Sequence, residues 1–199
     1  MQKTKLIFIA VLVAVATVAC GGDEEIEPQV TGEESGEPQT ANTYDENGVA
    51  FDYPDGWEEF PAEASATSTG SNELWSATVG PDKTNLVNIT AYRLNIEVTD
   101  DNLGSIEAEL DEVIQEVVDQ AGGTITEGPT AADVAGFPAY TYTWEDVEVE
   151  DEPKDSAAYF VFNGDIEYFF NCQFSSDVAD EVMAGCDQIL ESFEVTDSA

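Results

Sequence analysis

The sequence predicts an α+β domain, and three patterns carry that prediction. Short segments between Val49 and Phe174 alternate apolar and polar residues, the period-two signature of half-buried strands. Between Leu103 and Val118 the spacing changes to three and four, with Leu103, Ile106, Leu110, Val113, Ile114, Val117 and Val118 on one face of a long amphipathic helix. Val178, Val182, Cys186, Ile189 and Leu190 repeat that spacing and predict a C-terminal helix.

Ahead of the domain, Lys3 and Lys5 precede an apolar run from Leu6 to Ala19. A membrane-spanning helix needs roughly 20 apolar residues, and no Lys or Arg follows to anchor one, so residues 1–19 are expected to be a cleaved export signal. Thr17-Val18-Ala19-Cys20 resembles the lipobox of bacterial lipoproteins, with Thr17 where Leu is usual. That resemblance implies a diacylglyceryl group on Cys20, with the chain held on the outer face of the cell membrane. The alternative is ordinary cleavage after Ala19 or after Ala14-Val15-Ala16, with Cys20 free or lost. Residues 20–43, with acidic clusters, Pro28, Pro38 and no aromatic residue, are expected to be a flexible, self-repelling tether.

Beyond residue 19 only Lys83, Arg93 and Lys154 face 43 acidic residues, a formal charge near −40. A polyanion of this size is repelled by nucleic-acid phosphates, which excludes nucleic acid as a partner. It is equally repelled by anionic headgroups, so the membrane is reached through lipid alone. Twenty aromatic residues, nearly all beyond Tyr44, supply enough apolar mass for one core over residues 44–196. Self-repulsion opposes that core in dilute buffer, so the composition implies adaptation to high salt.

Within the domain, Val49 to Pro54 is expected to form a strand, Pro54-Asp55-Gly56 a turn and Trp57 to Phe60 its hairpin partner. Ala62 to Asn72 is small and polar, hence a loop. Leu74 to Val79 and Leu86 to Ile96 are strands flanking the turn 80–85; the Asn88-Ile89-Thr90 sequon is coincidental in a chain with a bacterial-type signal. Asp100-Asp101-Asn102 supplies a cap for the long helix, which Gly122-Gly123 stops. Thr124 to Glu127, Phe137 to Val149, Ala157 to Phe162 and Ile166 to Phe174 are expected strands. Asn163-Gly164, a dipeptide that tolerates positive φ at both turn positions, is expected to join the last two as a tight hairpin. Ser175 or Ser176 caps a helix running through Glu191, and Phe193 and Val195 form a short docked strand.

Counting by twos from Phe174 places Cys172 on the same strand face as Phe170 and Tyr168, while Cys186 lies on the apolar face of the next helix. A helix folding back on its own strand brings the two thiols together as a structural disulfide. The alternative, a redox or metal pair, lacks a His, a CxxC spacing and a basic neighbour to lower a thiol pKa.

Phe51-Asp52-Tyr53-Pro54-Asp55-Gly56-Trp57, the long helix, Gly136-Phe137-Pro138-Ala139-Tyr140 and the ending Ile189-Leu190-Glu191-Ser192-Phe193 together resemble the PsbP-like (Mog1/PsbP) group of bacterial lipoproteins. The resemblance spans about Tyr44 to Val195. It implies an αβα sandwich around a mainly antiparallel sheet, and a docking or assembly role without catalysis. The acidic surface departs from the group, so no relative's partner is carried over.

The absence of His removes the usual general base, and neither Gly-x-Ser-x-Gly nor a Gly-rich phosphate loop is present; no enzymatic activity and no cofactor are expected. Asp146, Glu148, Glu150, Asp151, Glu152 and Asp155 offer oxygen ligands for Ca²⁺, with a solvated acidic surface as the alternative. Trp57, Phe60 and Trp75 flank the loop 62–72 and are candidates for contacting a protein or small-ligand partner, the alternative being that all three belong to the core. Because screening lengths fall to about 3 Å in molar salt, the unfolding midpoint is expected to rise between dilute buffer and 1 M NaCl. Thermal melts followed by circular dichroism measure this, and a flat midpoint contradicts the salt adaptation.

Overall fold

The computed structural model describes residues 41–61 and 72–196. The expected export signal, Cys20, nearly all of the tether and most of the loop 62–72 lie outside the described residues. In chain order the elements are β1 (Asn42–Glu46), β2 (Val49–Tyr53), β3 (Glu58–Phe60), β4 (Glu73–Gly80), β5 (Leu86–Val98), a 3₁₀ turn (Leu103–Ser105), α1 (Glu107–Gln120), β6 (Thr124–Val134), β7 (Phe137–Val149), β8 (Glu152–Phe174), α2 (Ala179–Ser192) and β9 (Glu194–Val195). They build a large sheet of order β3-β4-β5-β8-β7-β6 and a small one of order β1-β2-β9, with antiparallel pairing throughout.

The extended run of β8 is 23 residues long and laid straight would reach roughly 75 Å, about twice the width of a domain this size. It doubles back instead. The rings of Phe160 and Phe169 stand 4.8 Å apart, and Lys154 Nζ donates to Ser175 Oγ at 2.8 Å. The inward alternation also changes parity, from Ala157 and Val161 before Asn163-Gly164 to Tyr168, Phe170 and Cys172 after it. The expected hairpin is therefore present, although only Gly164, at φ 64°, takes a positive φ there. Its first arm pairs with β7, as in Ala139 opposite Val161, and its second with β5, as in Val87 opposite Cys172.

Both faces of the large sheet are apolar, and each is covered. Ile106, Leu110, Ile114 and Val118 of the α1 segment pack on Tyr140, Tyr142, Trp144 and Phe160. On the opposite face, Val182, Cys186 and Ile189 of α2, with Val49 and Phe51 of the small sheet, pack on Ile89, Val161 and Phe170. This is the αβα sandwich that the resemblance implies. Cys172 and Cys186 are joined in a disulfide with their Cα atoms 6.1 Å apart, which in the chain-entropy picture stabilises the fold by about 3 kcal/mol. Val195 docks opposite Val49 as the expected terminal strand.

Several local expectations are corrected. The segment after Trp57 does not pair with β2; β3 joins β4, with Phe60 opposite Thr78, because β2 is already flanked by β1 and β9. The first described strand, β1, begins at Asn42, within the expected tether, and completes the small sheet. α1 has no side-chain cap: Asn102 Oδ1 instead accepts from Thr99 N at 2.8 Å, shaping the preceding 3₁₀ turn. α2 begins at Ala179 without a side-chain cap, because Ser175 is bound elsewhere. β6 runs on to Val134, seven residues beyond the expected end.

A buried carboxylic acid breaks the apolar pattern of the sheet. Glu167 is 5% exposed, and its Oε2 has no hydrogen-bond partner. It lies opposite Tyr92, which lies opposite Glu73. Burial pushes its carboxyl pKa up to about 8, so the folded state holds a proton that the unfolded chain releases near 4.5. Stability from this group is therefore present in acid and lost as pH rises through that window. Glu167→Gln is expected to be more stable than wild type at pH 7, by on the order of 3 kcal/mol, with the difference widening from pH 5 to pH 8. Urea unfolding at several pH values reads it, and a pH-independent difference contradicts it. Gly185 of α2 is pressed against Trp57, where a Cβ would run into the indole ring and approach Pro54. Gly185→Ala is expected to destabilise by roughly 1–3 kcal/mol through overpacking, measured by the same unfolding curves.

Candidate functional site

Where the edge of the small sheet meets the edge of the large one, a cleft of about 180 Å³ opens. β1 and the turn after it contribute Tyr44, Glu46 and Asn47; β3 contributes Glu59 and Phe60; β4 contributes Ser76 to Val79. Alternation along β1 places Tyr44 inward, where its ring stacks on Phe51 at 4.7 Å and on Trp75 at 6.5 Å. Its hydroxyl accepts from Asn47 Nδ2 at 2.8 Å. That geometry needs the left-handed backbone of Asn47, at φ 56°, a conformation asparagine tolerates better than most residues.

Burial is the main reason that the Tyr44 hydroxyl pKa is raised, and the nearby negative charges of Glu46 and Glu59 add to it. Tyr53 donates to Glu59 Oε1 at 2.8 Å; burial first, and then this bond, pushes its pKa up to about 12. Two carboxylates from different strands thus converge on one aromatic wall.

The structure separates the three expected aromatic contacts. Phe60 is half-buried and lines the cleft. Trp75 is half-buried behind Tyr44, its ring also 6.2 Å from that of Tyr168. Trp57 is a core residue, 6% exposed and packed on Gly185; helix α2 covers it, so it has no free face for a ligand.

The acidic stretch is not a loop. Val149 pairs with Glu152, leaving Glu150 and Asp151, at φ 52° and 66°, as a two-residue turn of the kind that matches strand twist. Strand register puts Glu148 and Asp155 on one face of the β7–β8 pair and Glu152 on the other, with Glu150 and Asp151 in the turn between them. Asp155 Oδ1 accepts from Asp146 N at 3.3 Å, and Glu152 Oε2 accepts from Lys154 Nζ at 3.2 Å. Among the described residues no three His, Cys, Asp or Glu side chains are grouped to hold a metal ion, so the expected Ca²⁺ ligands are not brought together.

The Lys154 side chain is only 1% exposed. Besides Ser175 and Glu152 it donates to Thr84 Oγ1 at 3.3 Å. Asn85 Oδ1 accepts from Ser175 N at 2.7 Å and from Ser175 Oγ at 2.9 Å. Asp82 Oδ1 in turn accepts from the backbone N–H of Thr84 and of Asn85, each at 2.8 Å. This network pins the turn 80–85 to the end of β8.

Tyr44, Glu46, Asn47 and Glu59 escaped the sequence reading because their proximity depends on strand pairing. The one available signal was Tyr44 itself, the first aromatic residue after the acidic tether.

A family model described as PsbP-like protein matches residues 5–195. The fold is similar to that of cyanobacterial PsbP (CyanoP) from Synechocystis sp. PCC 6803, at TM-score 0.55 and 18% identity, covering 82% of this chain and 98% of that one. A weaker likeness, at TM-score 0.46 and 16% identity, is to LpqN, involved in cell envelope biogenesis of Mycobacterium tuberculosis, covering 81% of this chain and 87% of that one. No curated protein matches. With the family model matching nearly the whole chain, this protein belongs to the PsbP-like family.

Proposed function

We propose that this protein is an exported lipoprotein, tethered through Cys20 to the outer face of the cell membrane, whose PsbP-like domain is a non-catalytic docking module working at high salt. The observation that carries the docking role is the cleft of Tyr44, Glu46, Glu59 and Phe60, set where the outer strands β1 and β3 approach each other. Main-chain groups on the free side of an outer strand are unpaired and accept an incoming chain. The titratable groups at the cleft are two carboxylates and the Tyr44 hydroxyl, and the sequence offers no His to act there as a base; binding fits this chemistry better than proton transfer. Family membership supports the same reading, because PsbP-like proteins mostly act in docking and assembly. The acid-rich exterior supports salt adaptation, and the run from Leu6 to Cys20 supports export and acylation.

Two measurements test the proposal. Partner recovery in molar salt is expected to fall roughly tenfold for Phe60→Ala, with wild-type circular dichroism as a control for folding; unchanged recovery contradicts docking at the cleft. Labelling with a palmitate analogue is expected for wild type and absent for Cys20→Ala, which is expected to leave the membrane fraction. A Cys20→Ala protein that stays membrane-bound contradicts the lipid tether.

A further inference from the structure

We infer that Lys154 and Asn85 become joined by an amide bond between their side chains, formed in the folded protein with loss of ammonia. The bond ties the turn 80–85 covalently to the first arm of β8.

Both reacting groups are buried, although their residue types ordinarily face water. The Lys154 side chain is 1% exposed and Asn85 is 7% exposed. One hydroxyl stands between them: Ser175 Oγ accepts from Lys154 Nζ at 2.8 Å and donates to Asn85 Oδ1 at 2.9 Å. Thr84, the chain neighbour of Asn85, accepts from the same Nζ at 3.3 Å. The turn before β5 and the two ends of the β8 hairpin thus deliver an amine and a primary amide to one enclosed place.

The partners of Asn85 favour attack at its Cγ. Its Oδ1 accepts from Ser175 N at 2.7 Å as well as from Ser175 Oγ, two donors that polarise the carbonyl and stabilise the negative charge it gains. Its Nδ2 donates to Asp82 Oδ2 at 2.8 Å, which fixes the plane of the amide. Glu152 Oε2 stands 3.2 Å from Lys154 Nζ, where a carboxylate can take the proton that masks the amine lone pair. Holding both groups in the fold makes the reaction intramolecular, which raises the effective concentration of the amine by many orders of magnitude.

The step balances without an added reagent. Lys154 Nζ passes one proton to Glu152 and attacks Asn85 Cγ, while a second proton moves through Ser175 Oγ to Oδ1 as the new C–N bond forms. Collapse of the tetrahedral carbon breaks the bond to Nδ2, which takes up these two protons and leaves as ammonium. One positive charge enters and one departs, and nothing is oxidised or reduced.

Peptide mapping of the full-length protein, with its disulfide reduced, reads the bond directly. A branched peptide carrying residues 85 and 154 is expected, lighter by one ammonia than its two parts together. Separate, unmodified peptides at both positions overturn the inference, as does Asp at position 85, the product of losing ammonia to water. Succinimide formation at Asn163-Gly164 sheds the same mass, so Lys154→Arg is the control: the loss at Asn85 is expected to disappear, and a loss there that persists overturns the assignment to Lys154. The wild-type map decides the matter even where Lys154→Arg does not fold. Ser175→Ala keeps both reacting groups, and its rate of cross-linking in newly made chains is expected to fall by at least about tenfold; an unchanged rate overturns the hydroxyl relay.

Discussion

Because β8 reverses at Asn163-Gly164, one continuous segment supplies both central arms of the large sheet, and every layer is referred to it. Its second arm carries Phe170 and Cys172 toward α2, with Cys172 bonded to Cys186, while Phe160 and Phe169 face the α1 layer. β5 and β7 pair with its two arms, so β4, β3 and β6 are ordered outward from it. A shift of one residue in this hairpin would exchange the two inner faces at once. The Phe160 and Phe169 rings, in contact across the arms, help hold the register against such slippage.

The distribution of charge follows from the same architecture. Among the described residues, a sheet apolar on both faces leaves mainly helix backs, turns and outer strands for the acidic residues, so the exterior is strongly negative. The exceptions are informative. Lys154 is buried with hydroxyl and carboxylate partners that satisfy its ammonium, whereas Glu167 is buried with an oxygen unpaired and keeps its proton up to about pH 8. The first ties a turn to a strand end; the second makes the middle of the sheet sensitive to pH.

The cleft lies away from both helices, at the junction of the two sheets. Its aromatic wall continues into the core through Phe51 and Trp75, which gives a rigid backing to a surface otherwise made of outer strands. Rigid backing limits the ordering cost of association. Glu46 and Glu59 there are exposed, as are Glu150 and Asp151 at the acidic turn.

Local pattern was sufficient for most of the elements. Period-two and helical spacing located β2, β4, β5, β7, α1 and α2 within a few residues, and Asn163-Gly164 marked its turn, because these signals come from neighbours along the chain. The pairing of Cys172 with Cys186 was legible for the same reason: strand parity and helix phase are both short-range. The αβα arrangement came from resemblance rather than spacing. Pairing between distant strands was not legible: β3 leaves β2 for β4, and β1 emerges from what reads as tether, because an antiparallel partner is chosen by the whole sheet. The cleft followed the same rule. Trp57, in the most conspicuous aromatic motif, is consumed by packing on Gly185, while Tyr44 and Glu59 become neighbours only once two sheets close together. Periodicity reports which way a side chain faces; which surfaces meet is decided by long-range burial, and this chain's candidate site exists only at that level.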